Sequence, residues 1–205
     1  MSSSDPLTFK QATEDWEFEQ VYRLNYRTFV EEIPQHPGNP NGALVDKFDR
    51  ENTYLICLRG RKLVGMLAVR GTRPFSLDQK LENLDSYLPP GRHLCEFRLL
   101  AVDQAHRSGR VLLGLLHLLE RHCTEQGYDL AIISGTTRQQ KLYRHLGFVP
   151  FGPLVGGGDA WFQPMYLTSE AAEEMAKPAV RAFLARATAP LARTPIRQGV
   201  VATAH

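Results

Sequence analysis

At 205 residues, with 43% apolar and 22% charged side chains, the chain is sized for one packed domain, with or without a tail, and is not composed like a disordered segment. Its 24 basic residues against 22 acidic ones give a net charge of +2, which argues against nucleic acid or an anionic membrane as a partner but still allows a local basic loop for a small anion. Cys57, Cys95 and Cys123 are odd in number and form no CxxC, so reduced thiols in a cytoplasmic protein are expected. The opening MSSSDPLTFK lacks the pattern of a signal peptide, and the longest apolar stretch, 111–119, is far shorter than the ~20 residues of a membrane span.

Residues 15–32 place Phe18, Val21, Tyr22, Leu24, Tyr26, Phe29 and Val30 three and four apart, which predicts an amphipathic helix. Pro34, Pro37, Gly38, Pro40 and Gly42 then impose a loop long enough to lie over a site. Runs 53–58 and 63–70 flank Arg59-Gly60-Arg61-Lys62 and read as a β-hairpin. The polar stretch 73–91 is expected to be irregular, with a short helix. Residues 94–102 follow as a strand and 111–126 as a helix, with Leu112, Leu115, Leu116 and Leu119 on its inner face and Gly127 as its cap. Asp129 to Ser134 (DLAIIS) suits a strand buried on both faces, and a helix over about 137–146 ends at Gly147. Short strands at 148–151 and 161–167 are joined by a glycine-rich loop. Ser169 is placed as the cap of a last helix, which Pro178 breaks or restarts. A domain over 1–188 is then followed by a flexible tail or linker over 189–205, which lacks periodicity. The pattern predicts an α/β (α+β) fold: a mixed, mostly antiparallel sheet with helices on both faces.

The strand, turn and helix of 94–126 aim a helix N-terminus out of a turn that holds Arg107, Ser108, Gly109 and Arg110, a seat for phosphate. A solvated helix start is the alternative for the two arginines. Glu96 stands in an otherwise apolar strand, where a carboxylate is costly unless used or paired. Partial burial would raise its pKa and suit it as a general base, directly or through a water; a salt bridge to Arg98 or Arg92 is the alternative. Tyr143, protonated at neutral pH, could return a proton to a leaving group, or could simply pack on the sheet. Gly156-Gly157-Gly158 precedes a strand and suits a hairpin loop. His117, His122 and Cys123 lack metal-binding spacing, so no metal site is expected, and no Gly-x-Ser-x-Gly elbow occurs.

Two motifs in this order resemble the GNAT superfamily of N-acetyltransferases. His106 to Val111 is similar to its Gln/Arg-x-x-Gly-x-Gly/Ala pyrophosphate turn, with His106 and Val111 as departures. Leu142-Tyr143-Arg144-His145-Leu146-Gly147-Phe148 is similar to its Leu-Tyr-x-x-Leu-Gly-Phe, whose tyrosine lies near the donor sulfur. Val21 to Glu32, Asp46-Lys47-Phe48-Asp49, Thr53 to Leu55, Arg73-Pro74 and Glu96 are similar to the acyl-homoserine-lactone synthases and the long-chain N-acyl amino acid synthases, a resemblance that spans 21–167. It breaks where the family's Glu-x-Ser-Arg would place arginine at 99: this chain has Leu99, and Arg98 would face the other side of a regular strand from position 99.

The resemblance implies an N-acyltransferase that moves an acyl group from acyl-CoA or an acyl carrier protein thioester to a primary amine, such as an amino acid, by direct attack. Glu96 would be the general base and Tyr143 the general acid. His106, Arg107, Ser108, Gly109, Arg110, Val111 and Leu112 would hold the donor, and main-chain N–H groups near Leu100 and Val102 the oxyanion. Asp46 and Asp49 are candidates to hold the acceptor, with a solvated turn as the alternative. Arg23, Tyr26, Phe29 and Arg98 are candidates to line the acyl or acceptor pocket, with core packing as the alternative for the aromatics. An acyl-homoserine-lactone synthase and a non-catalytic acyl-CoA-binding domain of a larger assembly stay open, as do the acceptor, the acyl length, and monomer against homodimer.

Overall fold

The computed structural model describes residues 5–107, 109–157 and 160–175. Alternation along the strands builds two separate cores. In β2 (Asn52–Arg59) and β3 (Lys62–Arg70), Leu55, Cys57, Val64, Leu67 and Val69 face one side, together with Cys95 of β4 (Leu94–Val102). That side is covered by α2 (Gly109–Gln126) through Val111, Leu115, Leu118 and Leu119. Tyr54, Ile56, Leu58, Leu63, Met66 and Ala68 face the other side, under Val21 and Leu24 of α1 (Asp15–Tyr26). A side-chain period of two in the strands and near 3.6 in the helices makes this two-sided division.

The sheet runs in the order β1 (Leu7–Gln11), β2, β3, β4, β5 (Leu130–Thr136), β8 (Ala160–Thr168), β6 (Val149–Pro150), with β7 (Val155–Gly157) also on β8. Among the described residues only the β4–β5 pairing is parallel. The mixed, mostly antiparallel sheet with helices on both faces is therefore present. β1 and β7 are additions to the elements expected from sequence. A short helix, α3 (Gln140–His145), lies with Tyr143 and Leu146 over Ile133 and Phe148.

Three local expectations are corrected. The inner face of α2 is Val111, Leu115, Leu118 and Leu119, so Leu112 and Leu116 are only partly covered. The helix from Asp15 is α-helical only to Tyr26 and continues as a π-helix over Arg27–Glu32, a widening that apolar spacing does not announce. The last helical residues, 169–175, are capped by Thr168, whose Oγ1 accepts from the Ala171 N–H at 3.2 Å, rather than by Ser169, whose N–H goes to the Asp129 carbonyl. Pro178 and the segment 189–205 lie outside the described residues.

Two features shape the centre of the molecule. β4 pairs with β5 only over Leu94 to Glu96, against Leu130 to Ile132; beyond Glu96 the two strands part. On its other edge β4 stays paired with β3, but a bulge sets Leu67 against two residues, Leu99 and Leu100, with Leu99 at φ +55°. A branched side chain in that region is uncommon and marks local strain. The bulge bends β4 at the point where its β5-facing edge becomes free.

Candidate active site

The parting of β4 and β5 opens a cleft of about 630 Å³. Its wall passes from one face of the sheet to the other. On the α2 and α3 side it is apolar, with Leu67, Phe97, Leu100, Leu116, Leu119, Ile133, Leu146 and Phe148. On the α1 side it carries Asn25, Asp46, Lys47, Ser76, Lys80, Glu96 and Arg98. Glu96 and Tyr143, the base and acid that the resemblance implies, both line this cleft.

Glu96 is fully buried at the point where the strands part. Its Oε2 accepts from the Ser76 N–H at 2.8 Å, and its Oε1 accepts from the Ser76 hydroxyl. Arg98 Nη1 approaches Oε2 at 3.4 Å, and Arg98 Nη2 donates to Asp46 Oδ2 at 2.6 Å. The salt-bridge alternative for Glu96 is thus present with Arg98, whereas Arg92 pairs with Asp129 and Glu170. Glu96 and Arg98 share a face, as residues two apart on a strand do. Ser76 reaches Glu96 because the loop 71–93 is pinned to the sheet: Phe75, Leu77, Leu81, Leu84 and Leu88 pack with Leu130, Ile132, Phe151 and Val155.

Tyr143 is half-buried, and its ring lies so close to β5 that a Cβ on Gly135 would come within 2.9 Å of it. The absent side chain at 135 is what admits the ring. Phe148 contacts it edge-on, with centroids 6.2 Å apart, and its hydroxyl donates to Gln139 Oε1 at 2.9 Å. Burial pushes the Tyr143 phenol above its usual range, so it holds its proton.

Of the other acceptor-pocket candidates, Phe29, Asp46 and Arg98 line the cleft. Arg23, Tyr26 and Asp49 do not. Arg23 is exposed; the Tyr26 hydroxyl bonds the backbone of Asn39 and ties down the Pro-rich loop; Asp49 accepts from the hydroxyls of Tyr22 and Tyr54, both at 2.8 Å. Those tyrosines are pushed up, Tyr22 to about 12, by burial first and then by the Asp49 carboxylate. Asp49 therefore anchors α1 to β2.

The donor-site candidates gather where β4 turns into α2. Gly109 opens α2, Arg110 is exposed beside it, Val111 is buried in the core and Leu112 is half-buried. Ser108 lies outside the described residues. Arg107 folds back, with Nη2 on Glu32 Oε2 at 2.5 Å and Nε donating to the Val102 carbonyl at 3.2 Å. His106 Nδ1 lies 3.1 Å from Asp103 Oδ1. A cavity of about 690 Å³, walled by Thr28, Glu31, Glu32, Val102, Asp103 and Gln104 among others, adjoins this turn. Leu100 borders the main cleft and Val102 this second cavity.

Sequence reasoning missed Ser76 and Lys80. The spacing of Leu77, Leu81, Leu84 and Leu88, at four, three and four, was the available signal that this loop is pinned to the core. Among the described residues no cluster suited to a metal ion is present, and no helix is long and apolar enough to cross a membrane.

A mixed sheet whose two parallel strands part over a cleft, with a helix starting just after the first of them, is the GNAT fold, and similar solved structures bear this out. FeeM, an N-acyl amino acid synthase from uncultured soil microbes, aligns with TM-score 0.66 at 17% identity over 84% of this chain and 96% of its own. An N-acetyltransferase from Staphylococcus aureus Mu50 aligns with TM-score 0.56 at 13% identity over 80% of this chain and 99% of its own. BjaI, a CoA-dependent acyl-homoserine lactone synthase, aligns with TM-score 0.67 at 25% identity over 80% of this chain and 82% of its own. The protein is an acyltransferase of this fold. The family model of the N-acyl amino acid synthase FeeM matches residues 20–156, and the chain belongs to that family. No curated protein matches the sequence.

Proposed function

We propose that the protein transfers an acyl group from an acyl-CoA or acyl-carrier-protein thioester to the amino group of an amino acid or similar small amine. The observation that carries this reading is the placement of Glu96 and Tyr143 on one cleft at the parting of β4 and β5. An amine arriving as ammonium must lose a proton before it attacks. Glu96 takes that proton through a water or through the Ser76 hydroxyl already bonded to it. The neutral nitrogen attacks the thioester carbonyl, and main-chain N–H groups on the free edge of β4, near Leu100, stabilise the oxyanion by ~3 kcal/mol, the usual worth of one such donor. The C–S bond then breaks, Tyr143 gives its proton to the leaving sulfur, and the proton that the attacking nitrogen sheds in forming the amide returns to Tyr143. The acyl chain lies in the apolar half of the cleft.

The donor's pyrophosphate rests on the main-chain amides of Gly109 to Leu112 at the start of α2. Synthesis of homoserine lactones is disfavoured by Leu99, which packs in the apolar cluster under α1 and offers no charge. The test is thiol release and product mass on incubation with acyl-CoA and acyl-carrier-protein donors of graded length plus a panel of amino acids. Release that depends on the amino acid supports the reading; no release with any pair contradicts it.

A further inference from the structure

The acceptor half of the cleft holds two carboxylates, Asp46 and Glu96, against three cations, Lys47, Lys80 and Arg98. Arg98 is neutralised by both carboxylates. Lys47 donates to Gln79 and sits over the Phe48 ring. Lys80 has no acidic partner within ion-pair distance among the described residues: its Nζ donates to Ser134 Oγ at 3.2 Å and lies 4.6 Å from the centre of the Phe162 ring. We propose that the Lys80 ammonium, steadied by the Ser134 hydroxyl, is the seat for the carboxylate of the acceptor, so that the enzyme selects amino acids over amines lacking a carboxylate. This rests on the acyl-transfer reading above.

Geometry supports it. Ile132 is the register partner of Glu96, and Ser134 lies two residues further along the same face of β5, roughly 7 Å away. A ligand between the two therefore meets a carboxylate at one end and an ammonium at the other. An amino acid carries the complementary pair, with its amine toward Glu96 and its carboxylate toward Lys80. The wall also has polar capacity that the protein does not use: Asn25 Oδ1, on a fully buried residue, and Arg98 Nε are both without a partner. The Lys80 residue as a whole is exposed, yet its ammonium lies against Ser134 and Phe162 inside the cleft, where burial lowers its pKa and Glu96 opposes that shift. A bound carboxylate would restore the lost solvation.

The test uses Lys80→Met and Lys80→Arg in the full chain, with each amino acid paired against its carboxamide. In Lys80→Met, KM for the amino acid should rise roughly 10- to 100-fold, the worth of one hydrogen bond to a charged group, with kcat within a few-fold and donor KM unchanged. KM for the carboxamide should not move, and Lys80→Arg should recover part of the loss. Equal losses for both acceptors, or a rise in donor KM, would overturn the proposal. Calorimetric binding of amino acid and carboxamide in the presence of free coenzyme A gives a readout independent of turnover. Weaker amino acid binding in Lys80→Met alone supports the carboxylate seat even if no donor is found, and unchanged binding overturns it even if acyl transfer is confirmed.

Discussion

Two basic regions of the molecule handle their charge in opposite ways. At the turn between β4 and α2, Arg107 is folded onto Glu32, and Asp103 gathers Arg27, Lys62 and His106. In the acceptor half of the cleft, Lys80 has no acidic partner within ion-pair distance among the described residues and reaches a hydroxyl and a ring. A site that holds its ligand by main-chain amides can pair off an arginine such as Arg107 without losing function, because the amides at a helix start stay unpaired. A site that holds its ligand by a side chain has to keep that charge open. On this reading the turn is the donor's seat and the lysine side is the acceptor's, with Glu96 between them.

Substitutions should separate the two regions by the size and kind of their effects. Glu96→Gln should give the largest, a fall in kcat of roughly 100- to 1,000-fold, measured by thiol release at saturating donor and acceptor. Tyr143→Phe keeps the ring against Gly135 and Phe148 and loses only the proton, so kcat should fall roughly 10- to 100-fold with an unchanged melting curve. Arg107→Ala should change donor KM by about 3-fold or less, since its charge is already held by Glu32 and a partly exposed pair of this kind contributes little. A much larger loss of donor affinity would mean that the arginine swings onto the phosphates, and the contrast between the regions would fail.

A fourth prediction concerns the scaffold that carries both regions. Glu17 is buried; burial pushes its carboxyl up, but the Lys10 ammonium and the N–H groups of Thr13 and Glu14 outweigh this and hold it below its ordinary value of 4.5. Its folded pKa is depressed, so its contribution is complete above the unfolded pKa and is lost as the pH falls below that. Glu17→Gln should cost about 1–3 kcal/mol at pH 7 by urea denaturation, with the gap to wild type narrowing toward pH 3. Acyl transfer at temperatures well below the midpoint should be unaffected.

The strands and long helices were legible because burial on a sheet or helix face imposes apolar runs and faces: the strand expected over 94–102 is β4, Leu94–Val102, although the bulge at Leu99 and Leu100 breaks its alternation. β1 was not, being five residues long with only Leu7 and Phe9 as apolar anchors. Glu96 was legible as a carboxylate in an apolar strand, and Tyr143 through the residues around it. Asp49 looked equally suited to a ligand, but its two tyrosine partners come from α1 and β2, a pairing that exists only once the chain has folded. Ser76 and Lys80 were hidden for the same reason. Their loop is polar in composition, and what brings them to Glu96 is the burial of the leucines between and beyond them.

The most direct test of proton removal by Glu96 compares two nucleophiles at pH 7 in wild type and Glu96→Gln: an amino acid, which arrives as ammonium, and hydroxylamine, which is already neutral. If Glu96 serves to deprotonate the acceptor, the variant should lose roughly 100-fold or more with the amino acid and only a few-fold with hydroxylamine. Equal losses with both nucleophiles would show that Glu96 only holds the cleft together through Ser76 and Arg98.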